Sequence, residues 1–436
     1  MSEALQRKAA AGVQTRRADG THRVVVTGMG AVTPAGVGVA PLWEAVMGRK
    51  CCIGEVTRFD TSAYEVHIAG EVRGFDATEH GLTKKEARRF ERFVQYAIVA
   101  ADEAMAQAGL DMEREDATRV ACVFGTGIGG IDELQSGFAT LSEKGPKRVN
   151  PLFIPTMIGN MAAGALSIRH GFKGECLNVV TACATGAHCI GTAVRDIRHG
   201  YIDAALAGGT EESVSPICLA GFANLGALTK AEDPACASLP FDARRAGFVA
   251  GEGAGAVVLE SLEHALARGA HVLAEVTGFG STGDAYHMTA PAPDGEGVVR
   301  AMRQALAEGG FSPEDVGHLN AHGTGTPPND ATEARALLEL CGEEAGRAVP
   351  VVSVKGTTGH TLGAAGAVEA IVCALSVMND CVPPTAGFSE PDPECPVNVL
   401  VEAKTGYPQK VALSNSLGFG GHNACLAISP FRPEGA

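Results

Sequence analysis

The 436-residue sequence predicts an α/β chain built twice over, with two similar halves stacked into a five-layer α/β/α/β/α body. Three observations predict it. From Arg23 onward, short β-branched runs alternate with Ala-rich stretches of helical period, the pattern of sheets covered by helices. The text also repeats: VVVTGMGAVTP near the start resembles AEVTGFGST from Ala274, and LNVVTACATGAHCIGTAV resembles VPVVSVKGTTGHTLGAAGAV. Finally, 56 Gly and only 5% aromatic residues, in a chain that is 45% hydrophobic, fit close helix–sheet packing rather than disorder.

The elements follow in order. Residues 1–22 read as a flexible tail, because MSEALQRKAAAGVQTRRADGTHR is polar and lacks the apolar core of a secretory signal. Arg23–Val26 opens the first strand, and Arg89–Gln107 reads as a helix. Leu177–Ala182 reads as a buried strand, after which Ile190, Val194 and Ile197 mark one face of a helix over Gly186–His199. The halves join near His264–Ala270, which divides the chain into 23–270 and 271–436. In the second half, His318–Ala321 and Val351–Val354 read as strands, and Gly297–Glu308 and Gly363–Met378 as helices.

Bulk properties exclude several functions. A net charge of −15 opposes general affinity for nucleic acid or acidic membranes. No apolar run reaches the ~20 residues that span a bilayer. Thirteen Cys form no CxxC pair, so a reduced, cytoplasmic protein is expected. There is no HExxH, no EF-hand loop and no Walker A sequence, so no metal is expected. VVVTGMGAVTPAG is GxGxxT, and Gly125–Gly130 lacks a following strand that ends in an acid, so dinucleotide binding is disfavoured.

The candidate chemistry gathers at strand ends. Cys183 sits where a strand turns into a helix N-terminus, a place that favours an anion and should lower the thiol pKa. The competing reading is a small buried hydrophobe, which is kept for Cys189. His322 opens HGTGTPPND after one strand, and His360 ends KGTTGH after another. Both lie where α/β sheets place their ligands. Lys355, in the turn before His360, should favour neutral imidazoles whose N–H groups donate to an oxyanion. Glu333 is the expected counter-ion of Lys355, and Asp330 can equally be an acid that faces a helix N-terminus, a reading that fits Glu333 less well. Phe419, flanked by glycines in SNSLGFGGHN, is either a gate or a core plug.

TACATGAHCIG, PFDARRAGFVAGEGAG, NAHGTGT, KGTTGHTLGAAG and NSLGFGGHN together resemble the β-ketoacyl-[acyl-carrier-protein] synthases of the thiolase superfamily, from Arg23 to about Phe431. VTGFGSTGDAYHMTAP and DTSAYEVHIAGEV are most similar to the elongating members, the synthase II group of dissociated fatty-acid synthesis. The resemblance implies a thiolase-like fold and Cys183 as the nucleophile that takes an acyl group from phosphopantetheine. It implies an oxyanion hole from the amides of Cys183 and Phe419, and His322 and His360 on the malonyl thioester, positioned by Lys355 with Glu333. Thr324 and Thr326 would hold the pantetheine arm. Phe419, Asp284, Thr289 and Ile128 would shape and gate the acyl pocket.

The resemblance further implies no organic cofactor, a homodimer, and an acyl carrier protein as partner. Carrier docking falls to Lys84, Lys85, Arg88 and Arg89 with Arg92, and to Lys147 and Arg148 with Lys144. Without the resemblance, these runs would read as a solvated helix face. Leu417, Leu239 and Gly226 depart from the family pattern at a gating Phe, an Arg and a carrier-binding Arg; Lys230 lies near the last. A ketosynthase subunit of a dissociated polyketide synthase would carry the same triad. A non-catalytic chain-length factor should lack the nucleophile.

Overall fold

The computed structural model describes residues 13–432. The first half contributes β1 (Val24–Thr33), β2 (Val120–Gly125), β3 (Cys176–Leu177), β4 (Ala204–Glu211) and β5 (Gly253–Ser261). The second contributes β6 (Ala274–Gly283), β7 (Val316–Asn320), β8 (Pro350–Val352), β9 (Val411–Gly418) and β10 (His422–Pro430). The spatial orders are β3-β2-β4-β5-β1 and β8-β7-β9-β10-β6, so five strands repeat in the same order, and the second half adds a short edge strand, Asn398–Val399, beside β8. The directions repeat as well: the three outer strands are parallel and the last two antiparallel. The two sheets meet at a short antiparallel contact, Val25 opposite Glu275 and Val26 opposite Ala274.

Between the sheets lie two helices, α5 (Thr185–Arg198) and α8 (Ala365–Met378). Their buried Ala, Val and Ile side chains join residues from β4, β5, β9 and β10 in one core. The outer face of the first sheet is covered by α2 (Arg92–Ala108) and α4 (Met161–His170), and that of the second by α6 (Glu296–Gly309) and α7 (Pro327–Cys341). Five layers result. The two central helices touch at glycines: a Cβ on Gly186 would lie 2.8 Å from the Ala367 amide, and one on Gly366 would lie 2.7 Å from the Ala187 amide. That close approach sets the N-termini of α5 and α8 side by side, in the middle of the molecule.

Several expectations are corrected. Residues 1–12 of the expected tail lie outside the described residues, but from Val13 the chain packs. Val13 joins the cluster around Val25 and Leu262, Arg16 bridges to His22, and Arg17 donates to the carbonyl of Thr277 at 2.9 Å. The helix expected over Arg89–Gln107 is α2, which starts three residues later, after a separate helix α1 (Lys84–Arg89) and extended Phe90. Thr83 and Glu86 form a capping box that starts α1, and Glu91 sits in extended geometry as the N-cap of α2. The strand expected over Leu177–Ala182 pairs only at Cys176–Leu177, because β3 is an edge strand and β2 offers it only two partners. The loop around Phe419 is a tight turn between β9 and β10, with Gly418 opposite His422.

Candidate active site

The nucleophile candidate is fixed by a turn that the fold uses twice. Ala182 takes a left-handed φ of 49°, and residues Ala182–Ala184 make one 3₁₀ turn into α5. In the second half, Leu362 takes a φ of 45° and Leu362–Ala364 leads into α8. Cys183 and Gly363 therefore occupy equivalent positions, and only the first carries a side chain for chemistry.

Cys183 and the two imidazoles converge: Sγ and the nearest ring nitrogens of His322 and His360 all lie within 4.8 Å of one another, and all three residues are buried. The imidazole centroids are 5.0 Å apart at 86°. His322 follows β7, and its loop is held by Glu333, whose carboxylate accepts from the amides of His322 at 2.8 Å and Gly323 at 2.6 Å. Lys355 Nζ lies 3.3 Å from His322 Nδ1. An ammonium can only donate, so Nδ1 accepts and the ring proton sits on Nε2. Burial, then the Lys355 charge, holds both His322 and His360 well below the usual imidazole range, so both are neutral at pH 7. Both His360 ring nitrogens are buried without a hydrogen-bond partner, which leaves an N–H free for a substrate oxygen. The Phe248 ring fixes that imidazole edge-on at 5.3 Å. The Lys355 ammonium beside this Cys–His–His set opposes a second cation there.

The expected Lys355–Glu333 pair is replaced. Lys355 is paired with Glu369 on α8, and both side chains are 2% exposed. Glu333 instead braces the backbone of the His322 loop, and Asp330 accepts from the amides of Phe241 and Gly325. Burial pushes Glu369 and Glu333 each up to about 7, against the pull of Lys355. Glu369 carried a readable signal, as the single acid in the otherwise apolar α8.

The thiol is also corrected. Burial pushes Cys183 up to about 12, while Lys355 and the amides of Phe419 and Cys183 pull it down. Burial in this site costs the thiolate more than the helix end returns, so the resting group is the thiol. Alkylation of Cys183 by iodoacetamide should therefore climb about tenfold per pH unit from pH 7 to 9, following the thiolate fraction. A plateau below pH 8 in the peptide-mapped rate would mean a resting thiolate.

A cavity of about 310 Å³ reaches these groups, and Thr324, Thr326, Asp284, Thr289, Leu417 and Phe419 line it. Thr324 and Thr326 hydroxyls lie 2.8 Å apart. Asp284 fastens its loop to the Phe419 turn: its amide donates to the Gly421 carbonyl at 2.9 Å and its carboxylate accepts from Asn423 at 2.6 Å. Gly226 lies on the cavity wall, and Lys230 is engaged by Glu65 at 2.6 Å. Leu239 is buried in the core. Ile128 does not line the cavity. Its amide donates to Glu211 at 3.1 Å and its side chain is exposed. Glu211, which sequence reasoning missed, joins the halves by accepting from Thr126, from the amides of Gly127 and Ile128, and from Gly363 at 3.0 Å.

The basic residues Lys84, Lys85, Arg88 and Arg89 on α1 are exposed, as are Lys144, Lys147 and Arg148 at the end of α3 (Ile131–Lys144). Arg92 turns inward, 3.8 Å from Glu212 and against the Tyr96 ring, because it begins the buried helix α2.

The sequence profile described as "Beta-ketoacyl synthase, N-terminal domain" matches residues 21–265, and that described as "Beta-ketoacyl synthase, C-terminal domain" matches residues 273–389. The chain is 47% identical over 409 residues to a 3-oxoacyl-[acyl-carrier-protein] synthase 2 of Staphylococcus aureus, covering 94% of this chain and 98% of that one. It is 45% identical over 411 residues to the protein of the same name from Synechocystis, covering 94% and 98%. Among solved structures, a type II polyketide ketosynthase in complex with its acyl-carrier protein superposes with a TM-score of 0.87 at 31% identity, covering 94% of this chain and 100% of that chain. A β-ketoacyl synthase from Burkholderia phymatum superposes with a TM-score of 0.86 at 33% identity, with the same coverage. No helix among the described residues is long and apolar enough to cross a membrane. With both profiles matched and full-length relatives near half identity, the chain belongs to the β-ketoacyl synthase family.

Proposed function

We propose that the protein is a 3-oxoacyl-[acyl-carrier-protein] synthase of the elongating type, which condenses an acyl group with malonyl carrier in dissociated fatty-acid synthesis. The observation that carries the reading is the convergence of Cys183, His322 and His360 beside Lys355. In the first half-reaction Cys183 Sγ attacks the acyl thioester and the pantetheine thiol leaves with a proton. The amides of Cys183 and Phe419 receive the tetrahedral oxyanion. In the second, N–H groups of the neutral His322 and His360 hold the malonyl thioester oxygen. Loss of carbon dioxide leaves an enolate at that oxygen, and its carbon attacks the acyl-Cys183 carbonyl to release a 3-oxoacyl product. Carbon dioxide loss supplies the carbanion, so no organic cofactor beyond the carrier's phosphopantetheine is required. Thr324 and Thr326 line the path of that arm, and Phe419 closes the acyl pocket. Relatives at 47% identity favour the fatty-acid reading over a polyketide one.

His322→Ala and His360→Ala should each lose malonyl decarboxylation by about 10²–10³-fold, the cost of one oxyanion donor. Carbon dioxide release from malonyl carrier, with products followed by mass spectrometry, reads it. A wild-type rate in either variant contradicts the roles, and repeated extension without reduction would favour the polyketide reading.

An acidic carrier protein has to find a local basic patch on a body of net charge −15. The exposed bases of α1 and of 144–148 supply one on this reading. Lys85→Glu with Arg89→Glu should raise the KM for carrier substrate while leaving turnover of a short pantetheine thioester unchanged. The effect should shrink as salt rises, since exposed charges are screened over ~10 Å at 0.1 M. An unchanged KM at low salt moves the docking site elsewhere. Leu177 and Val180, exposed at the β3 edge, favour pairing with a second copy, which light scattering of the purified protein reads as a dimer mass.

A further inference from the structure

The helix that carries the nucleophile also carries a buried imidazole to which the reaction above gives no role. His188 lies one turn into α5, and its ring reaches back to the turn that sets Cys183. Nδ1 is 2.9 Å from Thr181 Oγ1 and 3.1 Å from the Ala184 carbonyl. That carbonyl can only accept, so Nδ1 carries the ring proton, and Nε2 accepts from Ser281 Oγ at 3.0 Å. Ser281 belongs to β6, where it stands opposite Ala424 of β10, the strand that leaves the Phe419 turn. Given the condensing function above, on which this rests, we propose that His188 is a positioning residue for acyl transfer: it ties the Cys183 turn of the first half to the strands that bear the Phe419 turn of the second, and so keeps their two amides aligned on one oxyanion.

The repeat separates this role from packing. His188 stands five residues after Cys183, and Val368 stands five after Gly363, the counterpart of Cys183. Likewise Ser281 in AEVTGFGS corresponds to Ala31 in VVVTGMGA. Val368 and Ala31 are both buried in the central core. The half without a nucleophile fills the same two positions with apolar side chains, so the fold itself does not call for a histidine and a serine there. Only where an oxyanion has to be received does the polar pair occur.

The two turns that it links are in close contact. A Cβ on Gly418 would lie 2.4 Å from the Thr181 carbonyl and 3.3 Å from the Cys183 amide nitrogen. The amides of Phe419 and Cys183 both act on the Cys183 sulfur. The ring that holds them works through hydrogen bonds rather than charge, since burial pushes it down to about 4 and leaves it neutral at pH 7. It is also held from the side. Phe279 stands edge-on to it at 5.8 Å and 89°, and that ring fits because Gly191 has no side chain: a Cβ there would lie 2.4 Å away.

Acylation of Cys183 by a short acyl pantetheine thioester, followed by mass spectrometry of the protein, tests the bridge. His188→Val installs the residue of the other half. It should fold and lower the acylation rate at saturation about 10–100-fold, the scale of a slightly misplaced catalytic group, while the half-saturating concentration stays unchanged. His188→Asn keeps a donor for Thr181 and Ala184 and should recover part of the loss. Ser281→Ala should also slow acylation, and combined with His188→Val it should add nothing, since both cut one bridge. In the Cys183→Gln background, His188→Val should change malonyl decarboxylation by less than about twofold, because that step draws on the His322 and His360 donors and not on the two amides. A wild-type acylation rate in His188→Val, additive losses in the double variant, or an equal fall in decarboxylation would each overturn the assignment. If His188→Val does not fold, the rate of Ser281→Ala decides in the same way. Wild-type protein that leaves Cys183 unacylated would instead overturn the condensing function itself.

Discussion

Cys183→Ala is expected to lose acyl transfer and elongation by about 10⁴–10⁶-fold, the scale on which removal of a covalent nucleophile acts. No other thiol replaces it: Cys183 alone shares the 4.8 Å constellation with both imidazoles. Cys183→Gln should divide the reaction. Its amide imitates an acylated sulfur, so malonyl decarboxylation should persist or rise while condensation stops, because the neutral His322 and His360 are untouched. Radiolabelled acyl transfer to the protein and carbon dioxide release, measured on both variants, check the two halves separately. An Ala variant that still elongates, or a Gln variant that loses decarboxylation together with condensation, removes Cys183 from its assigned place.

What was legible in the sequence follows from distance along the chain. Cys183, His322 and His360 were found because each follows a β-branched run and precedes a Gly-rich turn, a local pattern. The repeat was found for the same reason, since VTACATG and VKGTTGHTLG preserve one turn in both halves. Partnerships were another matter. Glu333 was matched to Lys355 on its nearness to His322 in sequence, whereas its carboxylate is spent on the backbone amides of His322 and Gly323. Glu369 stands out as the single acid of its helix, but its partner Lys355 shows only where the fold brings the two together. Burial also escaped the local reading: a helix N-terminus argues for a lowered thiol pKa, but the fold buries Cys183 and burial outweighs the helix end. Ile128 sits in a glycine-rich turn whose orientation is set by Glu211, a contact between distant segments.

The second large effect is expected at the Lys355–Glu369 pair. Both side chains are 2% exposed, so neither charge has water to replace its partner. Glu369→Ala leaves a buried ammonium unpaired and should cost about 3–5 kcal/mol of folding stability. Glu369→Gln should cost less, since its amide oxygen still accepts from Nζ. Replacing both with Met removes both charges, and such exchanges are often neutral or stabilising by about 1–4 kcal/mol. Lys355→Met with Glu369→Met is therefore expected to unfold at or above the wild-type urea midpoint. It should nevertheless lose decarboxylation, because Lys355 is what holds the His322 ring proton on Nε2, facing substrate. The pH profile separates this positioning role from a structural one. Without the nearby ammonium, His322 is less strongly depressed, and the acid limb of the decarboxylation profile should move to higher pH. Equal loss of stability in the single and double variants, or a double variant with wild-type decarboxylation, would show that the pair serves the fold alone.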